Sequence, residues 1–295
     1  MRRLALLIGS PSDPKTPKAG NYLSGVKTDI ENIYGFLTSS IGGGWTEKEI
    51  ITFPFNPTFE QVSPSLSACE NVDFAFVYFS GHGYTDINKN PRVIFNSDQA
   101  PEVKKHLATR AKRQITIIDA CRSYPEFIGF AGVPLLEGIN FPNPNPIKAR
   151  AMYEEHISKI QTARVLLFAT SEGNASMDYG YDYGGLFSSS LLHVVKDKIS
   201  RENKPIFNVA EVFKTAQINT QKNEPNQRPE IYISDDRAIN LPFAVKPDYK
   251  PQQLKTYKKF VRESLNEDIG KVILVSTGIV LAGILIGSLL NDNKN

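Results

Sequence analysis

Residues 73–85 read DFAFVYFSGHGYT, and within them Phe74 to Phe79 form an unbroken, largely apolar run. A strand with one face in water alternates polar and apolar residues, because successive side chains point to opposite faces. A continuous run needs both faces covered, as in a parallel sheet with helices packed above and below. Leu4–Ile8 and the ITIID stretch at 115–119 make the same demand. Elsewhere apolar residues recur at helical spacing, as Ile30, Ile33, Tyr34 and Leu37 do. Strands are expected over 2–9, 49–53, 72–79, 114–119, 164–169 and 230–233, with a short one in PRVIFN at 91–96. Helices are expected over 24–39, 57–69, 101–112, 151–161, 185–199 and 209–221. The expected fold is therefore an α/β sandwich around a mainly parallel sheet.

With 295 residues, 41% of them hydrophobic, the chain is long enough for one large or two small domains with a proper core. A net charge of +3 without a basic, aromatic-interleaved block gives no reason to expect a nucleic-acid partner. The two cysteines, Cys69 and Cys121, make no disulfide framework and fit a reducing compartment.

The two ends differ. Arg2 and Arg3 before Leu4–Ile8 imitate an export signal, but such a signal needs roughly 7–15 apolar residues. A buried first strand is expected instead. Val272–Leu290 is 19 residues without a charge, twelve of them Ile, Leu or Val. Rising about 1.5 Å per residue, such a helix matches the ~30 Å hydrocarbon core of a bilayer. A transmembrane helix over 271–290 is expected, with a short tail at 291–295. Lys255, Lys258, Lys259, Arg262 and Lys271 precede it and Lys294 alone follows, which leaves the globular part on the cytoplasmic side. Gly283 with Gly287, and Gly278 with Ala282, are spaced for close helix approach and a homo-oligomer. The remainder divides into a domain over 1–240 and a charged stalk over 241–270. The three prolines of Pro142–Arg150 mark an exposed linker.

In open α/β sheets functional side chains sit beyond the carboxyl ends of strands. His82 follows the 72–79 strand, and Cys121 follows the 114–119 strand, 39 residues on. An imidazole beside a thiol can take its proton and leave a thiolate nucleophile. The glycines flanking His82 let a substrate backbone approach. The N–H groups of Gly83 and Cys121 suit an oxyanion hole. His106, His156 and His193 fall inside expected helices, and Cys69 ends one, so none shares that setting. No Cys/His spacing suits zinc.

YFSGHG followed by IIDACRS resembles the His and Cys boxes of the caspase–metacaspase clan of cysteine proteases. LALLIGS and YLSGVKTDIENIYGFL resemble the clan's first strand and first helix. VLLFATSEGNASMDYGYDYGGLFSSSLL resembles its small-subunit strand and helix, and NQRPEIYI its closing Gln-x-Pro stretch. The likeness implies a caspase-hemoglobinase-like three-layer sandwich, with a large-subunit-like part over 1–124, a linker over 125–150 and a small-subunit-like part over 151–240. It implies a cysteine endopeptidase with His82 and Cys121 as its dyad and no resident cofactor. Some metacaspases need calcium, and the scattered acids here assign no site for it.

Caspases resemble one another in placing Gln before the Ala-Cys pair and Arg two residues before the first-helix glycine. Asp119 and Leu23 stand at those positions here, which removes groups suited to an aspartate at P1. Metacaspases line S1 with acids instead. Asp29, Asp119 and Asp178, the last with Glu172 as a weaker match, fit those positions and imply cleavage after Arg or Lys. Read locally, Asp29 is equally a cap or ion-pair partner, and Asp178 equally a loop acid. The clan is often cut in the linker during maturation, and Lys148, Arg150, Lys159 and Arg164 offer basic bonds there. The expected function is a membrane-anchored cysteine endopeptidase acting on protein or peptide substrates, of the kind that serves regulated cell death or anti-phage defence. The alternatives are a catalytically silent membrane-bound scaffold, against which the intact Cys–His pair speaks, and a zymogen that awaits an activating partner.

Overall fold

Alternate side chains of the apolar strands are buried in opposite directions, and that division builds the layers. The structure, a computed structural model, describes residues 1–11, 22–108, 110–123, 139, 141 and 145–250. The elements run β1 (Arg3–Ser10), α1 (Gly25–Thr38), β2 (Ile50–Phe53), α2 (Phe59–Ala68), β3 (Phe74–Gly81), β4 (Gly83–Thr85), β5 (Pro91–Val93) and α3 (Val103–His106). They continue with β6 (Arg113–Asp119), α4 (Pro146–Ser158), β7 (Ala163–Phe168), α5 (Leu186–Arg201), β8 (Ile206–Asn208), α6 (Val209–Asn223), β9 (Glu230–Ile233) and β10 (Pro242–Val245). One sheet has the order β2-β1-β3-β6-β7-β9, parallel throughout except for β7 with β9.

Ala5 and Leu7 of β1, Phe74, Phe76 and Tyr78 of β3, and Ile115 and Ile117 of β6 pack with α1, α4, α5 and α6. Leu4, Leu6, Ile8, Ala75, Val77, Phe79 and Ile118 point the other way, onto α2 and α3. Every residue of β1 and β3 is buried, as an unbroken apolar run requires. The result is the expected α/β sandwich, with helices on both faces of a mainly parallel sheet.

Three segments depart from the sequence expectation. The helix expected over 101–112 ends at His106, because Gln114 Oε1 accepts the N–H groups of Arg110 and Ala111, each at 3.0 Å. That side chain draws the segment into β6. α4 starts inside the proline-rich stretch: Pro146 opens its first turn, where a missing N–H costs nothing, and the Asn145 side chain accepts from the Lys148 N–H. The segment after Leu241, expected to begin the stalk, forms the buried strand β10 antiparallel to β8. The folded unit thus reaches Lys250.

These shifts bear on the linker. Lys148 and Arg150 lie within α4, Lys159 ends it, and Arg164 is in β7. Three of these basic bonds are in regular structure and Lys159 is in the turn that closes α4, while residues 124–147 contain no Lys or Arg. Among the described residues no helix is long and apolar enough to cross a membrane. The span expected over 271–290, and the stalk from 251 onward, lie outside the described residues.

The amino end of the sheet is fastened by a buried cation. Arg3, 4% exposed, lies over the Trp45 ring at 4.4 Å and donates to the carbonyls of Gly43 at 3.0 Å and Gly44 at 3.3 Å. It pairs with Glu49 at 3.3 Å and Glu154 at 3.5 Å, and Arg150 reaches Glu49 at 2.7 Å. Burial alone would raise Glu49, but Arg150, the Thr46 N–H and Arg3 bring it down to about 2. A buried charge is tolerable only when partnered this fully. Arg3→Ala should therefore cost about 3 kcal/mol of stability, because it leaves Glu49 and Glu154 to Arg150 and strands two carbonyls. Arg150→Ala, at a partly exposed site, should cost about 1 kcal/mol or less. Denaturant midpoints of the two variants test this ordering.

Candidate active site

His82 and Cys121 arrive at one edge of the sheet through strand register. β3 and β6 are parallel neighbours with Ser80 opposite Asp119, so each of the two residues lies two positions beyond a matched pair. The segments that follow are tied together. The Thr85 N–H donates to the Ser123 carbonyl at 3.3 Å, and its hydroxyl to the Arg122 carbonyl at 2.9 Å. The His82 N–H donates to the Ser10 carbonyl at 3.4 Å, and its carbonyl accepts from the Ile94 N–H at 2.9 Å.

The two glycines around His82 have a steric cause. Gly81 holds φ at +152°, and a Cβ there would run into the Ser10 carbonyl. A Cβ on Gly83 would stand 2.9 Å from the Cys121 carbonyl, the Ala120 Cβ and the Arg92 carbonyl alike. Three strand ends therefore close around the histidine, and only glycine fits between them. Gly83 faces Val93 across the β4–β5 pair, and the Ile94 N–H serves the His82 carbonyl. That pattern makes Gly83 and Val93 a non-hydrogen-bonded pair, so the Gly83 N–H turns away from β5.

Cys121 is partly exposed, and its sulfur faces the backbone of Ser176. Its sulfur accepts from the Ser176 N–H at 3.3 Å and lies 3.6 Å from the Ser176 carbonyl oxygen. Burial pushes the thiol above its ordinary value and the charge of Asp119 adds to this, while the Ser176 N–H acts the other way. Cys69 is fully buried at the end of α2, and burial pushes its thiol up to about 12. His106, His156 and His193 lie on α3, α4 and α5, as expected.

The three acids singled out from the sequence converge. Asp29, inside α1, accepts from the Ser80 hydroxyl at 2.6 Å and the Gly185 N–H at 2.8 Å. Asp119 accepts from the Ser176 hydroxyl at 2.7 Å and, through its other oxygen, from the Ser188 N–H at 3.0 Å and hydroxyl at 2.6 Å. Asp178 accepts from the Gly25 N–H at 3.2 Å and the Gly180 N–H at 2.9 Å. A Cβ on Gly185 would stand 2.5 Å from Asp119 Oδ2 and 3.2 Å from Asp29 Oδ2, so these two carboxylates meet over it. Asp29 is therefore no local cap, and Asp178 is tied to α1 across 153 residues of sequence.

Burial, then the neighbouring Asp119, drives the Asp29 carboxyl well above the usual carboxylate range, and Asp178 adds to it. Burial likewise raises Asp119, again with Asp178 adding. Among the described residues no lysine or arginine pairs with any of the three.

Two positioning groups escape sequence reasoning. Gln227, fully buried, donates to the Ala169 carbonyl at 3.1 Å and the Ser176 hydroxyl at 3.2 Å, and accepts from the Met177 N–H at 3.0 Å. Arg122, beside the thiol, pairs with Glu230 at 2.5 Å, donates to the Thr170 carbonyl at 3.3 Å and lies over Phe168 at 4.4 Å. The Gln-x-Pro stretch marks Gln227 only by resemblance, and nothing local distinguishes Arg122 from a surface arginine.

Comparison with known proteins agrees with this fold. The family model for the caspase domain matches residues 2–238. A crystal structure of a protein from Geobacter sulfurreducens is similar, with a TM-score of 0.52 at 17% identity, covering 81% of this chain and 97% of that one. Caspase-1 from Spodoptera frugiperda gives a TM-score of 0.48 at 13% identity, covering 78% and 86% respectively. At these identities the structural likeness speaks for the fold alone. No curated protein matches the sequence. Because the family model spans most of the chain and takes in every strand of the main sheet, the protein belongs to the caspase-domain family of cysteine peptidases.

Proposed function

We propose that this chain is an endopeptidase that cleaves after Arg or Lys, with Cys121 as nucleophile and His82 as its proton acceptor. The observation that carries the specificity is the meeting of Asp29, Asp119 and Asp178 beside the thiol without a basic partner among the described residues. A guanidinium or ammonium entering there supplies the missing counter-charge, and the planar fork of arginine matches carboxylates best.

His82 takes the proton of Cys121, and the sulfur adds to the carbonyl carbon of the scissile bond. The oxyanion receives the N–H groups of Gly83 and Cys121. Collapse breaks the C–N bond, and His82 returns the proton to the leaving amine, which leaves a thioester on Cys121. Water, giving a proton to His82, attacks the thioester and frees the thiol. Because burial and Asp119 hold the thiol in its neutral form, attack depends on His82.

The helix expected over 271–290 would tether the peptidase domain to the cytoplasmic face of a membrane. A role in regulated cell death or anti-phage defence, acting on a protein at that membrane, follows from the family likeness and the apolar tail.

With peptides differing only at P1, Arg and Lys should be cleaved and Asp should not. Cys121→Ala should abolish cleavage, and His82→Ala should lower kcat by about a thousandfold. Preference for Asp over Arg would overturn the reading. Gly83→Ala should lower kcat by about a hundredfold and lower Tm as well, since its Cβ pushes against the Cys121 and Arg92 carbonyls. Asp29 and Asp119 ionise above the ordinary carboxylate range, so the pocket loses charge before exposed acids do as pH falls. KM for an Arg peptide should rise on acidification while exposed carboxylates are still ionised, and that rise should shrink in Asp119→Asn.

A further inference from the structure

Ser176 touches both halves of the site at once. Its backbone faces the sulfur of Cys121 through the two peptide groups that flank it, with the N–H at 3.3 Å and the carbonyl oxygen at 3.6 Å, which occupies the thiol as acceptor and as donor. Its hydroxyl donates to Asp119 Oδ1 at 2.7 Å. Gln227 holds the same hydroxyl at 3.2 Å and the next N–H, of Met177, at 3.0 Å, and is itself anchored to the Ala169 carbonyl at the end of β7. The backbone N–H and carbonyl set against the nucleophile are thus positioned by a side chain hydrogen-bonded to Asp119.

We propose that Ser176 couples filling of the acidic pocket to release of the Cys121 thiol. A guanidinium that takes over Asp119 Oδ1 removes one of the two partners of the Ser176 hydroxyl, and the Ser176 backbone, still held by Gln227, shifts with that side chain away from the sulfur. The thiol then passes from the Ser176 carbonyl to the imidazole of His82. Neutralising Asp119 acts in the same direction, because its negative charge disfavours the thiolate. The inference rests on the reading of Asp119 as part of the substrate pocket. Ser176 is then a positioning residue that makes a cationic P1 side chain both the recognised group and the trigger. A substrate lacking that charge would meet a thiol still engaged by Ser176.

The test separates binding from chemistry. The full chain in detergent is treated with iodoacetamide at fixed pH, with and without saturating agmatine, which carries a guanidinium but no scissile bond. Alkylation is read by mass spectrometry on the Cys121 peptide; Cys69, buried and with its thiol pushed up to about 12, serves as the internal control. Agmatine should speed alkylation about tenfold, the change that one unit of thiol acidity brings. In Ser176→Ala the gain should fall to about twofold, the remainder left by screened charge neutralisation alone. Ser176→Thr, which keeps the hydroxyl, should restore it. Equal acceleration in wild type and Ser176→Ala would overturn the role of Ser176. Agmatine that raises the Tm of wild type but not of Asp119→Asn, without speeding alkylation, would overturn the coupling and leave the acidic pocket standing. Agmatine that does not bind wild type would overturn both.

Discussion

Two helix N-termini aimed at one cluster of carboxylates hold the active end of this molecule together. The N–H groups of Gly185 and Ser188 at the start of α5 meet Asp29 and Asp119, and the Gly25 N–H at the start of α1 meets Asp178. Each acid comes from a different part of the chain, so the contacts weld α1, β6 and the segment before α5 into one unit. Burying like charges side by side is unfavourable, and unsatisfied helix N–H groups with the positive end of the macrodipole offset part of that cost. The remainder shows as carboxyls shifted upward. Because their folded values lie above the unfolded ones, the stability they contribute is full below the ordinary carboxyl range and lost as pH rises through the raised values.

The sheet separates two tasks by its two ends. At the amino ends of the strands Arg3, Glu49, Arg150 and Glu154 form one paired set against Trp45. At the carboxyl ends Asp29, Asp119 and Asp178 have no Lys or Arg partner among the described residues, and Cys121 is partly exposed. Tyr78 and Ser188, joined at 2.7 Å beneath Asp119, link the two through the buried middle of β3.

Much of this is legible in the sequence, for definite reasons. Strands buried on both faces leave an unbroken apolar run, so β1, β3 and β6 announce themselves, and with them the places where His82 and Cys121 emerge. Asp29, Asp119 and Asp178 are visible only through family likeness, since a single carboxylate carries no local sign that it will be buried. α3 is shorter than its pattern suggests because one side chain, Gln114, captures two backbone donors. β10 is hidden by the prolines around it, which read as a boundary until β8 supplies a partner. Gln227 and Arg122 depend on contacts 50 and 108 residues away, and no local pattern encodes those.

Those long separations also bear on the order in which a newly made chain gains its activity. Synthesis delivers β3 and β6 early, with the histidine and the cysteine at their ends. Gln227 and Glu230 arrive more than a hundred residues later, and they fix the segment facing the thiol and the arginine beside it. A polypeptide still on the ribosome, or one cut short before β9, carries the reactive pair without the clamp that aligns it. The arrangement around Cys121 is therefore complete only once β9 has been made.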